Sequence, residues 1–316
     1  MSRGVLYVGT GEKFFDQAVE SARSVSDKNS LPCAIITSKR LAATKRSEVF
    51  EEVIVLDDPY DDVRDKIYNL TKSPFEKTLF LDGDTLVLED ISSIFTLLDR
   101  VDIAAAYATG RYKVHMEDIP DCLPELNTAI LAYDMTSDET VEMLSLWEEL
   151  QKRQVQTGRP LDGEKIPVAN AETLEEASRF GNLYGQTTFR EAVYKSSVSY
   201  SILPPEYNYG KTGRGYARYD VKILHGDKRF ELLPIINKRN AKRQLVGNIL
   251  YYPSSGEKVR VTGRPIIDTL SKRVQSKIGD VSRKIGVYPI IKHCEQKLPI
   301  KNSYDAIQNG RCSDKD

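Results

Sequence analysis

The 316-residue chain predicts an α/β fold with a mostly parallel central sheet flanked by helices. Three observations carry that prediction. Short apolar runs closed by glycine or acids recur through the first 230 residues. Stretches with apolar residues three and four apart separate them, which is helical spacing. The run at 77–82 is too apolar for a sheet edge and suits a strand covered on both faces.

The elements follow in order. "GVLYVG" (4–9) is a short apolar run stopped by glycine and reads as a buried strand. "EKFFDQAVESARSV" places Phe14, Phe15, Ala18, Val19, Ala22 and Val25 at helical spacing. "PCAIITS" (32–38) and "EEVIVLDD" (51–58) are β-branched and strand-like. "DDVRDKIYNL" (61–70) puts Val63, Ile67 and Leu70 on one helical face. The strand at 77–82 runs straight into "DGDTLVLEDI". "SIFTLLDR" (93–100) is a short helix and "VDIAAAYA" (101–108) a strand. Charges, Gly and Pro in 109–125 make a loop. "LNTAILAYD" (126–134) is a strand, and 137–153 and 187–196 are helices. "SYSILPPEYNYG" (199–210) is a strand that breaks into turn chemistry, and "DVKILHGDKRF" (220–230) holds a strand ending on His225. Beyond about residue 236 the chain turns basic and irregular, with an amphipathic helix expected over 268–286. Two parts are therefore expected: a catalytic-type domain over 1–236 and a basic, partly helical extension over 237–316.

Composition bounds the function. Hydrophobic content of 40%, charged content of 29% and a net charge of −1 describe a water-soluble globular chain and argue against a dedicated nucleic-acid binder. Apolar runs are strand-sized, far below the roughly 20 residues of a membrane span. "MSRGVLYVGTGEKF" has no signal-peptide core. Cys33, Cys122, Cys294 and Cys312 lie far apart with no C-x-x-C, so a cytoplasmic setting is expected rather than a disulfide scaffold or zinc site. From Lys222 to Lys301 there are 18 Lys and Arg against 6 Asp and Glu, so the rest leans acidic. That basic stretch is either a solvated helical extension or a peripheral contact for an anionic membrane surface.

The chemistry centres on Asp82-Gly83-Asp84. As a bare pattern it says little: 24 aspartates in 316 residues give about two D-x-D triplets by chance, and Asp314-Lys315-Asp316 is the second. Context separates them, because ligands of open α/β sheets sit beyond the carboxyl ends of the strands. Two adjacent carboxylates repel, and a divalent cation, Mn²⁺ or Mg²⁺, removes the conflict. The competing reading is a strand-end turn with Asp84 capping the next segment. Such a site usually takes its remaining ligands from substrate phosphates. A P-loop is excluded at "PEYNYGKT", where Pro205 stands in place of the first glycine. "GTG" (9–11) lacks the third glycine of a dinucleotide fingerprint but suits a tight turn beside a nucleotide, with Thr10 facing it.

"TLFLDGDTLVLEDISSIF" resembles the core segment of family-eight glycosyltransferases, in which a strand runs into D-x-D-T-L-V and a short helix. Five further matches stand in the family's order. Lys66, 16 residues before Asp82, matches a basic residue that reaches the sugar-nucleotide. "PELNTAILAYD" resembles F-N-S-G-V and implies Asn127 on the donor sugar. "YGQTTFREAV" resembles D-Q-x-x-L-N and implies Gln186 beneath the sugar. "ILPPEYNY" resembles a strand and turn near the end of the domain. "ILHGDKRF" resembles, shortened, H-x-x-G-x-x-K-P-W, implying His225 as third metal ligand with Gly226 and Lys228 at the diphosphate. The resemblance covers residues 4 to 230 and implies a GT-A fold, Rossmann-like with a mixed sheet, and a metal-dependent, retaining transferase. It implies a UDP-sugar donor and a carbohydrate, lipid-linked or protein acceptor. Two departures stand out: Gly185 replaces the family's aspartate, and the last motif lacks Pro-Trp.

Each residue also has a plain structural reading. His225 is a lone histidine, Lys66 and Arg64 are solvated helix charges, Asn127 bonds at a strand end, and Gln186 caps a helix. Two other functions compete. One is a non-catalytic sugar-nucleotide binder on the same scaffold. The other is a sugar-nucleotide nucleotidyltransferase, whose glycine-rich N-terminal motif "YVGTGEKFFDQAV" lacks.

Overall fold

The computed structural model describes residues 2–45, 48–108, 118–120, 122–157, 185–210, 215–217, 219–226, 229–241, 248–251 and 258–261. Lys228 and the helix expected over 268–286 lie outside the described residues.

Seven strands build the central sheet: β1 (Arg3–Val8), β2 (Cys33–Ser38), β3 (Glu52–Leu56), β4 (Lys77–Leu81), β6 (Ile103–Tyr107), β7 (Leu126–Asp134) and β8 (Tyr200–Leu203). Their order is β3-β2-β1-β4-β7-β6-β8. Only β7 runs antiparallel to its neighbours, so the sheet is mixed and mostly parallel, as expected. Helices α1 (Glu12–Ser26), α2 (Lys39–Thr44), α3 (Val63–Ile67), α4 (Ser93–Leu97), α5 (Asp138–Thr157) and α6 (Gln186–Lys195) intervene between strands.

Strand periodicity explains the layers. Neighbouring residues of one strand point to opposite faces. Tyr7, Ile35, Leu81 and Ile130 join the core under α1 and α4. Leu6, Ile36, Phe80 and Leu131 join the core with Trp147 of α5 and Phe189 of α6. Both faces are thus covered, which is why 77–81 carries no alternating polar residue. Helix α1 buries Phe15, Ala18, Ala22 and Val25, most of the face its spacing marked, while Phe14 of that set is exposed.

A smaller assembly sits beside the sheet. Strands β5 (Thr85–Val87) and β10 (Ile223–His225) pair antiparallel. Helix α7 (Arg229–Ala241) covers them through Leu232 and Ile236, which meet Leu86, Leu88 and Leu224. This helix runs through the boundary expected between 236 and 237. Strand β11 (Asn248–Tyr251) joins β12 (Lys258–Val261) and β9 (Gly215–Ala217). The "irregular" basic stretch therefore contributes a helix turn and two strands. These were not legible because short hairpins among charges show little periodicity. No helix among the described residues is long and apolar enough to cross a membrane.

Candidate metal centre

The carboxyl end of β4 delivers Asp82, and the turn Asp82-Gly83-Asp84 leads directly into β5. Thr85 locks that turn, its backbone N–H and its hydroxyl both donating to Asp82 O at 3.1 and 2.8 Å. A hydroxyl has one proton. Thr85 therefore accepts from Ser21 Oγ (2.7 Å), and Ser21 accepts from Tyr7 OH (3.0 Å). Burial holds the Tyr7 phenol well above its ordinary pKa, so it stays a donor. This relay runs one way, from the sheet through α1 into the turn. Ser24 adds a second tie, accepting from Val87 N at 2.8 Å. Gly83 lies against the same helix: a Cβ there would stand 3.0 Å from Ala18 N and 3.1 Å from Phe14 O. The glycine between the two acids is needed for close backbone approach.

Pairing of β5 with β10 sets Thr85 opposite His225. Tyr209 O accepts from His225 N at 3.0 Å, and Asp84 O accepts from Gly226 N at 2.9 Å. Gly226 takes φ of +102°, a conformation glycine adopts without steric cost. Two segments some 140 residues apart are thereby held as one site.

One ligand atom each from Asp82, Asp84 and His225 lies within 4.8 Å of the others. His225 is buried, and its Nδ1 is 2.7 Å from Asn208 Oδ1. With that oxygen facing it, Nδ1 carries the proton and Nε2 presents a lone pair. Nε2 has no hydrogen-bond partner, although Asp84 Oδ1 is 3.2 Å away. That approach is an ion pair only for a doubly protonated ring. In the neutral Nδ1–H tautomer it sets a lone pair against a carboxylate, a repulsion a shared cation relieves. The imidazole–carboxylate donor set and the unsatisfied Nε2 fit a divalent metal ion. Asn208 supplies the second interaction that orients a metal-binding imidazole.

Lys66 on α3 reaches the same place. Its Nζ is 3.1 Å from Asp82 Oδ1, 3.4 Å from Thr128 Oγ1 and 3.5 Å from Thr128 O. Thr128 gets there by a bulge in β7: Ala105 pairs with Leu131, but Ala106 pairs with Asn127. Ala129 O within the bulge accepts from Asp82 N at 2.8 Å. Asn127 is buried, and its Oδ1 accepts from Ala129 N at 2.9 Å, so it shapes the bulge. Thr10 is buried, and its hydroxyl donates to Asp65 Oδ2 at 2.7 Å. Asp65 also accepts from the backbone N–H of Tyr60 and Asp61, anchoring α3 to the turn after β1. Arg64 is engaged by Asp62 and lies 4.1 Å from the Tyr60 ring centre. Gln186 is the half-buried first residue of α6. The preceding Gly185 packs on Ile67, the neighbour of Lys66, so α6 starts at this end of the sheet.

Sequence reasoning missed Asn208, Thr128, Asp65 and Ser21. It also missed Glu125, whose buried carboxyl is pushed up to about 7, with Arg190 pulling the other way. Asn208 lies within "ILPPEYNY", and Glu125 and Thr128 lie within "PELNTAILAYD", but neither match assigns them a role. Asp65 adjoins Lys66 and Thr128 adjoins Asn127, a further signal in the sequence.

No family model and no curated protein matches the chain. Similar solved structures include mouse xyloside xylosyltransferase 1, apo form (14% identity, TM-score 0.45, covering 72% of this chain and 98% of that one). The glycosyltransferase GlyE of Streptococcus pneumoniae TIGR4 is similar at 15% identity and TM-score 0.46, over 77% of this chain and 65% of that one. Its apo form matches at 15% and 0.42, over 77% and 64%. This chain thus spans just under two thirds of GlyE.

Proposed function

We propose that the protein is a metal-dependent, retaining glycosyltransferase of GT-A type. It would move a sugar from a UDP-sugar to a carbohydrate, lipid-linked or protein acceptor. The observation that carries this reading is the convergence of Asp82, Asp84 and a buried, unsatisfied His225 Nε2 at the carboxyl end of a mostly parallel sheet. The sequence resemblance over residues 4 to 230 supports the donor class and the retention of configuration.

Asp82, Asp84 and His225 would hold Mn²⁺ or Mg²⁺, which supplies Lewis-acid neutralisation of the leaving diphosphate. Lys66, already facing Asp82, brings a positive charge to the same place as negative charge builds on that group. Lys228 is assigned to the diphosphate and Gly226 to its backbone support. Asn127 and Gln186 are assigned to the donor sugar, with the Gln186 amide oxygen toward the developing positive charge at the anomeric carbon. The Thr10 turn is assigned to the nucleotide, and Gly83 lets the acids approach α1.

The test is UDP release from a panel of UDP-sugars with and without Mn²⁺, using Asp84→Asn as control. Release that depends on Mn²⁺ and disappears in the variant is expected. Release that ignores Mn²⁺, or persists undiminished in Asp84→Asn, overturns the reading. A non-catalytic sugar-nucleotide binder is the second reading, and Gly185 is the observation that favours it. A Cβ at this position would stand 2.3 Å from Ile67 Cδ1, so the aspartate of the resembled family would need Ile67 to move. Metal-dependent UDP-sugar binding without turnover would select that alternative.

A further inference from the structure

Lys66 points to how the site is loaded, an inference that rests on the metal reading above. Its side chain is 14% exposed, and its Nζ has Asp82 Oδ1 and two oxygens of Thr128 within 3.5 Å. The Phe80 ring centre lies 5.2 Å away. Three oxygens and a ring face make a built cation site, and its occupant is the protein's own ammonium.

Asp82 is therefore claimed twice, by Lys66 and by the three-residue metal cluster. A divalent ion approaching Asp82 meets the positive charge of Lys66, and like charges at this range repel strongly outside bulk water. A diphosphate arriving with the ion changes the balance, because it offers the ammonium a second anion. The backbone need not move. Asp65 pins α3 through Thr10, Tyr60 and Asp61, while the Lys66 stem has four flexible carbons.

We propose that Lys66 is an internal counter-ion that suppresses binding of the metal alone and exchanges Asp82 for the donor's diphosphate, so that metal and nucleotide diphosphate load as a pair. Linkage makes the effect reciprocal: UDP raises the affinity for Mn²⁺ by the factor with which Mn²⁺ raises the affinity for UDP.

The experiment measures Mn²⁺ binding to the full chain by electron paramagnetic resonance of the free ion, with and without UDP. Lys66→Met removes the charge and keeps the stem; Lys66→Gln is a second charge-free variant should the first fail to fold. Without UDP, the charge-free variant is expected to bind Mn²⁺ roughly tenfold tighter than wild type, the lower end for close charge pairs. The gain in Mn²⁺ affinity on adding UDP is expected to shrink by a similar factor. Lys66→Arg, which keeps the charge, is expected to behave as wild type. Equal or weaker Mn²⁺ binding by the charge-free variant overturns the inference and leaves the metal reading standing. An arginine variant that behaves like methionine overturns it too. No Mn²⁺ binding by wild type, with or without UDP, removes the metal reading and this inference together.

Discussion

Adding a single methyl group at Gly185 tests the packing behind the candidate site. Its φ of −72° is open to any residue, so the constraint is space alone. A Cβ would stand 2.3 Å from Ile67 Cδ1 and 3.2 Å from both Ile67 Cγ1 and Trp147 Cζ2. Carbon atoms pack at about 3.5–4.0 Å, so Ile67 must retreat by more than about 1 Å. Ile67 and Trp147 are 3% and 0% exposed, so the shift must be taken up inside the core. Gly185→Ala is then expected to cost about 1–3 kcal/mol. For a chain of this size that is a fall of about 1.5–5 °C in Tm by differential scanning fluorimetry. Ile67→Val deletes the clashing Cδ1 and by itself should cost about 0.5–1.5 kcal/mol. In the Gly185→Ala background the same change should be neutral or stabilising. This reversal of sign, read from a double-mutant cycle, is the diagnostic result. Strictly additive losses would refute the steric account of why glycine stands here.

Three other outcomes follow from the site. Asn208→Ala frees the His225 ring to change tautomer and should weaken Mn²⁺ binding about 10–100-fold, whereas Asn208→Asp, which can only accept from Nδ1, should retain it; calorimetric titration distinguishes them, and equal losses in both would contradict the assigned tautomer. Ser21→Ala should destabilise more than Tyr7→Phe, because it strands the buried Tyr7 hydroxyl donor, at about 1–3 kcal/mol, while loss of the phenol leaves Ser21 still donating to Thr85; urea unfolding ranks the two. The Glu125 carboxyl rises from 4.5 in the unfolded chain to about 7 in the fold. The folded state then holds a proton that the unfolded state releases, so the contribution is full below the unfolded pKa and is lost as pH rises through about 7. Glu125→Gln should remove that loss, so its stability advantage over wild type, read from urea unfolding, should widen from pH 5 to 8 by up to about 3 kcal/mol; a constant difference would refute the burial argument.

Much of the scaffold was legible in the sequence because it depends on local periodicity. Runs such as "GVLYVG" and "TLFLD" can bury two faces only as central strands, and the spacing of Phe15, Ala18, Ala22 and Val25 can bury only one face of a helix. The position of Asp82 and Asp84 at a strand's carboxyl end follows from the same pattern. What the acids meet there was not local. Antiparallel pairing of β5 with β10 brings His225 to Asp84, and a turn at Asn208 sets which nitrogen faces the carboxylates. A bulge in β7 brings Thr128 to Lys66. Gly185, a departure from the resembled motif, meets the side chains of Trp147 and of Ile67, 118 positions earlier. Sequence alone determined which strand would end in two negative charges, because hydrophobic burial is written in short-range spacing. Only the tertiary structure decided what answers those charges, because electrostatic partners are set by distance in space and not by distance along the chain.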